Sequence, residues 1–355
     1  YADIRDAVEA MRDGAVNYLE KPIDLDELLA SVRLALGAAV AAPAPGGAPE
    51  AALAAMRDFI CQSAAMREAA REILAVAATD SRVLITGASG AGKEAAARVI
   101  HRLSPRAGRP VLRLHCAAAP PGQIEAELFG IEPGAFDEVT VPAEGLLEQA
   151  EGGTLILSEI SELAPAAQAR LLRLIETGGM FRRVGGASDR RADVRLLATT
   201  GVDLEEAVEA GRFREDLYYR ICVFEIHIPP LAERRDDILP LAHSFLEAAG
   251  IQRPRFSPAA IVCLESCAWP GNVRELKNAM ERAALLSRGD VILPEHLPRR
   301  VRESAPAAAA DAAAAPAATM DDIERSVILQ TLRENRYNRS ETARRLGISR
   351  RALIY

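Results

Sequence analysis

Residues 82–94 read RVLITGASGAGKE, and the fold follows from this stretch. Val83, Leu84 and Ile85 form a short apolar run of the kind that lies buried in a sheet. The run breaks at Gly87-Ala88-Ser89-Gly90-Ala91-Gly92, after which Lys93 and Glu94 open a segment of helix formers. Glycines let successive backbone N–H groups turn inward, the helix N-terminus adds partial positive charge, and Lys93 can reach terminal phosphates. Strand, glycine turn and helix in that order are the setting a phosphate cradle needs. Binding of ATP, with Mg2+ carried by the nucleotide, is the expectation.

Outward from the cradle, PVLRL (110–114), GTLILSEI (153–160), VRLLATT (194–200) and CVFEIHI (222–228) alternate with helical segments. That alternation predicts a parallel α/β sheet, followed from about Ile238 by an all-helical stretch. In GTLILSEI the buried run Leu155–Leu157 delivers Ser158 and Glu159 at its end. An acid there can polarise a water for attack on a terminal phosphate, although by itself Glu159 is equally well a strand-end surface acid.

At 355 residues, 49% hydrophobic and 26% charged, the chain can bury a sizeable core and accommodate two or three domains. Apolar stretches of membrane-spanning length are lacking, and the opening residues have no apolar signal region. The chain is expected to begin mid-domain, since its first residue is Tyr1. Five cysteines at irregular spacings (Cys61, Cys116, Cys222, Cys263, Cys267) argue against a disulfide framework and for a reducing, cytoplasmic setting. The net charge of −7 does not suggest nucleic acid. The tail does: between Arg336 and Arg351 six arginines face a single glutamate.

Ala/Pro/Gly-rich segments at 37–57 and 301–319 divide the chain. Residues 1–36 precede the first, the sheet is assigned to 58–230 and a helical lid to 231–300, and 320–355 are helical and basic. In the last part Asp321 and Asp322 cap a helix carrying Ile323, Val327, Ile328 and Leu332 at helical spacing. NRSETARRLGISRRALIY (338–355) then reads as helix, turn at Gly347, and a second helix capped by Ser349. The pattern resembles a helix-turn-helix of the Fis type. Its second helix would enter the major groove of double-stranded DNA with Arg350 and Arg351 leading, while Arg344 and Arg345 meet the backbone. The chain stops before such a recognition helix would end.

GAVNYLEKPIDLDELLASVRLAL (14–36) resembles the last strand and helix of a response-regulator receiver domain. The resemblance puts Tyr18 at the aromatic switch position and makes Lys21 the lysine beside the phosphoryl group. The phosphate-accepting aspartate, target of a sensor histidine kinase, would lie before residue 1. The middle of the chain resembles bacterial enhancer-binding proteins of the NtrC type, the AAA+ activators of sigma-54 RNA polymerase. It does so through LITGASGAGKE, ELFGIEPGAF, GGTLILSEI, GRFREDLYYRICVFEIHIPPLAERRDDI and WPGNVRELKNAMERA. The resemblance implies a P-loop AAA+ domain with a helical lid and a homo-oligomer, a dimer or a hexameric ring with each site shared between subunits. Arg214 and Arg220 would reach a neighbouring subunit's nucleotide, Arg274 would be the lid arginine that senses phosphate, and Glu159 the catalytic acid.

Four departures from the family pattern fall on functional positions. The loop spelled Gly-Ala-Phe-Thr-Gly-Ala, used to grip sigma-54, reads Gly134-Ala135-Phe136-Asp137-Glu138-Val139. Ser158 replaces a magnesium-binding aspartate. His115 replaces an asparagine that restrains the catalytic glutamate, with a charge that would depend on pH. Gly201 replaces a sensing asparagine, although Thr200 remains. The pattern predicts a core that keeps the nucleotide fold but hydrolyses poorly, working with sigma-54 or another sigma factor. The alternative is a AAA+ protein-remodelling ATPase whose basic tail reads no DNA.

Overall fold

The computed structural model describes residues 59–135, 140–287 and 291–304. Tyr18, Lys21, Phe136, Asp137, Glu138, Val139, Arg344, Arg345, Ser349, Arg350 and Arg351 lie outside the described residues. Contacts divide the chain into two compact units, one running to Pro254 and including 268–286, the other taking 255–267 and 287 onward.

In the first unit, α1 (Ala64–Ala77) starts where the Ser63 hydroxyl accepts a hydrogen bond from Met66 N. It presents Met66, Ala69, Ala70, Ile73 and Val76 to the core. The predicted strand is β1 (Val83–Thr86) and the helix after the glycine turn is α2 (Lys93–Arg102). Then come β2 (Val111–His115), α3 (Pro121–Phe129), α4 (Leu146–Gln149), β3 (Thr154–Ser158) and α5 (Pro165–Glu176). A two-residue hairpin, β4 (Met180–Phe181) with β5 (Arg190–Arg191), precedes β6 (Arg195–Thr200). Helices α6 (Leu204–Glu209) and α7 (Glu215–Ile221) lead into β7 (Phe224–His227), and α8 (Ile238–Ala248) follows.

The five long strands form one parallel sheet in the order β2-β3-β6-β1-β7. Parallel pairing needs covered faces, and the residue pattern supplies them. Leu84, Leu155, Leu157, Leu196 and Ala198 face one buried cluster, while Val83, Ile85, Ile156, Leu197 and Ile226 face the other. Each buried aliphatic side chain contributes about 1.5–3 kcal/mol, which makes the central strands the stable base of the site.

Arg195, at the start of β6, is 2% exposed. Its guanidinium donates to the carbonyls of Val76 (3.0 Å), Ala77 (3.2 Å) and Ser81 (3.2 Å), taking up orphan acceptors at the end of α1. Burial holds its pKa down at about 10. All five cysteines are unpaired thiols, and burial pushes that of Cys116 up to about 12.

The stretch after Ile238 is not wholly helical. In the second unit a short parallel pair, β8 (Arg255–Phe256) with β9 (Val291–Ile292), joins α9 (Pro258–Ser266) and α11 (Arg299–Glu303). Two-residue strands carry no alternation to read. The long helix α10 (Asn272–Leu286) belongs to the first unit and packs against α8.

Asp237, fully buried, ties the leading segment to the start of α8. Its carboxylate accepts from Gln62 N (2.6 Å), Ser63 N (3.0 Å) and Ser63 Oγ (2.7 Å). Asp237→Ala leaves these donors unsatisfied, and a loss of about 3 kcal/mol in unfolding free energy is expected by denaturant titration. A change within about 0.5 kcal/mol, the usual range of a surface substitution, would refute this reading of Asp237.

Candidate functional site

The parallel strands bring the ends of β1, β3 and β6 to one edge of the sheet. Gly87, Gly90 and Gly92 adopt φ of 139°, 76° and 110°, which only glycine enters readily. A Cβ on Gly87 would lie 2.3 Å from the Ile228 carbonyl oxygen, and one on Gly90 would lie 2.4 Å from that of Gly271. On Gly92 a Cβ would meet nothing within 4 Å, so the turn is packed on one side and open on the other.

Lys93, the first residue of α2, is 5% exposed. Its ammonium donates to Gly87 O (2.7 Å) and Ala88 O (3.4 Å) and pairs with Glu159 Oε1 at 3.3 Å. Glu159 stands just past β3 in the left-handed region (φ 55°, ψ 56°) and starts a single 3-10 turn, Ile160–Glu162. A non-glycine residue there costs about 1–2 kcal/mol. Two bonds hold it: its N–H donates to the Thr199 hydroxyl (3.4 Å), and its Oε2 accepts from Gly201 N (2.8 Å).

The structure does not join His115 to Glu159. Among the described residues, the His115 Nδ1 accepts weakly from Ala117 N at 3.4 Å, and the glutamate's partners are Lys93 and Gly201. Thr200 turns its hydroxyl on its own loop, donating to Val202 O (2.9 Å) and accepting from Val202 N (3.1 Å). Ser158 donates to Glu94 Oε1 (3.4 Å), whose Oε2 is held by Arg113 Nη1 at 2.6 Å.

Arg274 and Asn272 of α10 arrive at the other side of the turn. Arg274 Nη1 donates to Ser89 Oγ (3.4 Å); Asn272 Nδ2 donates to Ser89 O (3.0 Å), and its Oδ1 accepts from Leu231 N (2.8 Å). Sequence reasoning missed Asn272. Its signal was present, an asparagine after glycine at a helix start, where a φ of 52° suits asparagine better than most residues. Arg234 was missed as well. Buried at 3% exposure, it donates to the Ala91 carbonyl, and its Nε has no partner among the described residues.

Arg214 is the N-cap of α7 and Arg220 lies in its last turn. Arg214 makes two bonds to Asp216, 3.0 and 2.7 Å, and is roughly half exposed. Its backbone N donates to Oε1 of the buried Gln168 (2.9 Å), whose Nε2 donates to Leu163 O (2.7 Å) and Arg212 O (3.0 Å). Arg220 O accepts from Arg82 Nε (2.7 Å).

The loop carrying Gly134 and Ala135 is clamped at its base. Ile131 and Ala143 exchange two backbone bonds of 2.9 Å, and Glu132 N donates to Val184 O. Arg183, buried, grips both oxygens of Glu148 (2.7 and 2.8 Å) and reaches Glu132 (3.2 Å). The guanidinium holds the Glu148 carboxyl below the usual carboxylate range.

The residues fit a nucleotide better than they fit a metal ion. A turn with three glycines at positive φ and a buried ammonium suit a polyanion. For Mg2+, Ser158 offers a neutral hydroxyl, and the adjacent Glu94 carboxylate is already engaged by Arg113. Hard cations prefer free carboxylates.

Comparison with known proteins places these features. Three family descriptions match: Sigma-54 interaction domain over residues 59–227, AAA+ ATPase lid domain over 232–314, and bacterial regulatory protein, Fis family, over 319–355. The transcriptional regulatory protein ZraR of Klebsiella oxytoca is 42% identical over 358 residues, covering 100% of this chain and 80% of that protein. The regulatory protein AtoC of Escherichia coli K12 is 39% identical over 367 residues, covering 100% and 79%. The crystal structure of NtrX from Brucella abortus in complex with ADP superposes with a TM-score of 0.65 at 33% identity, covering 99% of this chain and 79% of that one. No helix among the described residues is long and apolar enough to cross a membrane. The alternative of a remodelling ATPase with an incidental basic tail finds no support, because that tail carries the Fis-family match. The chain belongs to the NtrC-type sigma-54 enhancer-binding response regulators, DNA-binding transcriptional regulators of two-component systems with an ATP-binding AAA+ domain.

Proposed function

We propose that this chain is a cytoplasmic regulator, bound to promoter or enhancer DNA, whose AAA+ core binds ATP and hydrolyses it slowly. The observation that carries the reading is the glycine turn with its buried Lys93 ammonium facing Glu159. Gly87, Ala88, Ser89, Gly90, Ala91, Gly92, Lys93 and Glu94 cradle the phosphates, and Arg274 closes on them from α10. When bound, the nucleotide supplies the phosphoanhydride and carries Mg2+ on its own phosphates. Glu159 is the group placed to take a proton from an attacking water.

Slow turnover follows from the strand end. Ser158 presents a hydroxyl, Glu94 is neutralised by Arg113, and the Glu159 carboxylate is drawn onto Lys93 and Gly201 rather than held by the His115 ring. Thr200 remains at the end of β6 as the second sensing position. Arg214 at the N-cap of α7 and Arg220 in its last turn suit delivery to the site of a neighbouring subunit in a ring. The Arg214–Asp216 pair must open for that.

The remaining partners follow from the chain's own segments. A sensor histidine kinase acts on the receiver part marked by Tyr18 and Lys21. The loop from Gly134 through Phe136 to Val139 meets RNA polymerase carrying sigma-54 or another sigma factor, with Asp137 and Glu138 favouring a changed contact. Arg350 and Arg351, led in by Ser349, enter the major groove while Arg344 and Arg345 hold phosphates.

ATP at about a hundred times its Kd should stabilise the protein by about 2.7 kcal/mol, read as a rise in Tm. Gly90→Ala, which drives a Cβ onto the Gly271 carbonyl, should remove that rise. An undiminished rise would contradict the cradle.

The purified chain should hydrolyse ATP well below the roughly 1 per second at the low end of ordinary enzyme turnover. Ser158→Asp should raise the rate at least about tenfold, equivalent to about 1.4 kcal/mol of barrier. Wild-type turnover at the ordinary rate would overturn the slow-hydrolysis reading.

A further inference from the structure

The carboxylate of Glu159 is held by a backbone, and the residue that supplies the backbone has no side chain. Glu159 Oε2 accepts from Gly201 N at 2.8 Å while Oε1 lies 3.3 Å from Lys93 Nζ. The other contacts of the ammonium are the Gly87 and Ala88 carbonyls. An ammonium has three hydrogens, and each has a partner within the protein. One of the three partners is the chain's own carboxylate.

Gly201 makes this arrangement possible in two ways. Its N–H fixes one oxygen of Glu159, and its bare Cα leaves room for the ion pair. A Cβ at this position would sit 3.3 Å from Glu159 Oε2 and 3.4 Å from Lys93 Nζ, so the carboxylate would have to give by a few tenths of an ångström and the ion pair would loosen. Gly201 is not among the glycines with positive φ, so alanine can adopt its backbone and the crowding would be the main effect of the change. Among the described residues, no hydrogen bond joins His115 or Thr200 to the carboxylate; the Thr200 hydroxyl is bonded to Val202 and the His115 Nδ1 accepts from Ala117 N.

We propose that Gly201 is a positioning residue that latches Glu159 across Lys93, so that a nucleoside triphosphate binds only by displacing the carboxylate from the ammonium. The proposal rests on the nucleotide-binding reading of the site. It makes the end of β6 report on occupancy: when phosphate takes Lys93, Glu159 leaves it, and the Gly201 N–H loses or renews its acceptor.

The test compares ATP and adenosine by calorimetry on the full chain. Wild type, Gly201→Ala, Glu159→Gln and the double variant are measured, with unfolding curves confirming that each is folded. Gly201→Ala should tighten ATP about fivefold, the size of one partly exposed ion pair, and leave adenosine unchanged, because adenosine carries no phosphate to compete for Lys93. Glu159→Gln should tighten ATP at least as much. In the Glu159→Gln background, Gly201→Ala should then change ATP affinity less than about twofold, because coupled sites are not additive. An ATP affinity that is unchanged or weaker in Gly201→Ala, or a gain of the same size in both backgrounds, would overturn the latch. Wild-type protein that binds neither ligand would instead overturn the nucleotide-binding reading beneath it.

Discussion

Burying a cation is costly unless oxygen partners replace its water, and Lys93 is buried to 5% exposure. The rest of the site can be understood as the means of meeting that demand. The glycine turn aims carbonyls at the ammonium, β3 brings a carboxylate, and the sheet holds both within reach. This geometry needs β1, β3 and β6 parallel, because only then do their ends converge on one edge. The apolar runs VLIT, TLILS and RLLATT, buried along nearly their whole length, are accordingly part of the site's chemistry as well as the fold's stability. Arg195 shows the same logic at the opposite end of β6, where a second buried cation is satisfied by three carbonyls around the end of α1.

Charge pairing also ties parts of the first unit together. Arg183 and Arg190 share Glu148 of α4 and both reach Glu132, which links the base of the 131–143 loop to the β4–β5 hairpin. The demand is again one of burial: Arg183 is 8% exposed, and removing a carboxylate would strand it. Gln168 does comparable work with neutral groups, joining Leu163, just past the Glu159 turn, to Arg212 and Arg214 ahead of α7. A change in the position of Glu159 thus has a direct structural route to the exposed arginines.

Much of this was legible in the sequence. Apolar runs of strand length, the glycine turn and Lys93 gave the sheet and the cradle, because each is a local pattern with a local physical cause. Glu159 was placed by the end of its own strand. The strand order was not legible, since the pairing of β1 with both β6 and β7 follows from packing between distant segments. Nor was the partner of Glu159. The histidine at 115 looked suited to the task by its chemistry, yet the bond comes from the backbone of Gly201, 42 residues beyond the glutamate. A main-chain donor leaves no residue-type signature, and a glycine announces it least of all. Asp237 and Ser63, 174 residues apart, are legible only in space, and the pairs β4–β5 and β8–β9 are too short for any periodicity.

The departures at 115, 158 and 201 acquire one physical sense when taken together. Ser158 offers only a neutral hydroxyl and Glu94 is committed to Arg113, so Glu159 is the carboxylate that pairs with Lys93, beside the Gly87 and Ala88 carbonyls. At 201 the main-chain N–H, which any residue but proline would offer, bonds the glutamate, and the bare Cα crowds neither partner of the ion pair. Each change by itself would weaken catalysis for its own reason. Together they leave Glu159 engaged as the counter-ion of Lys93, the arrangement on which the proposed competition between carboxylate and phosphate rests.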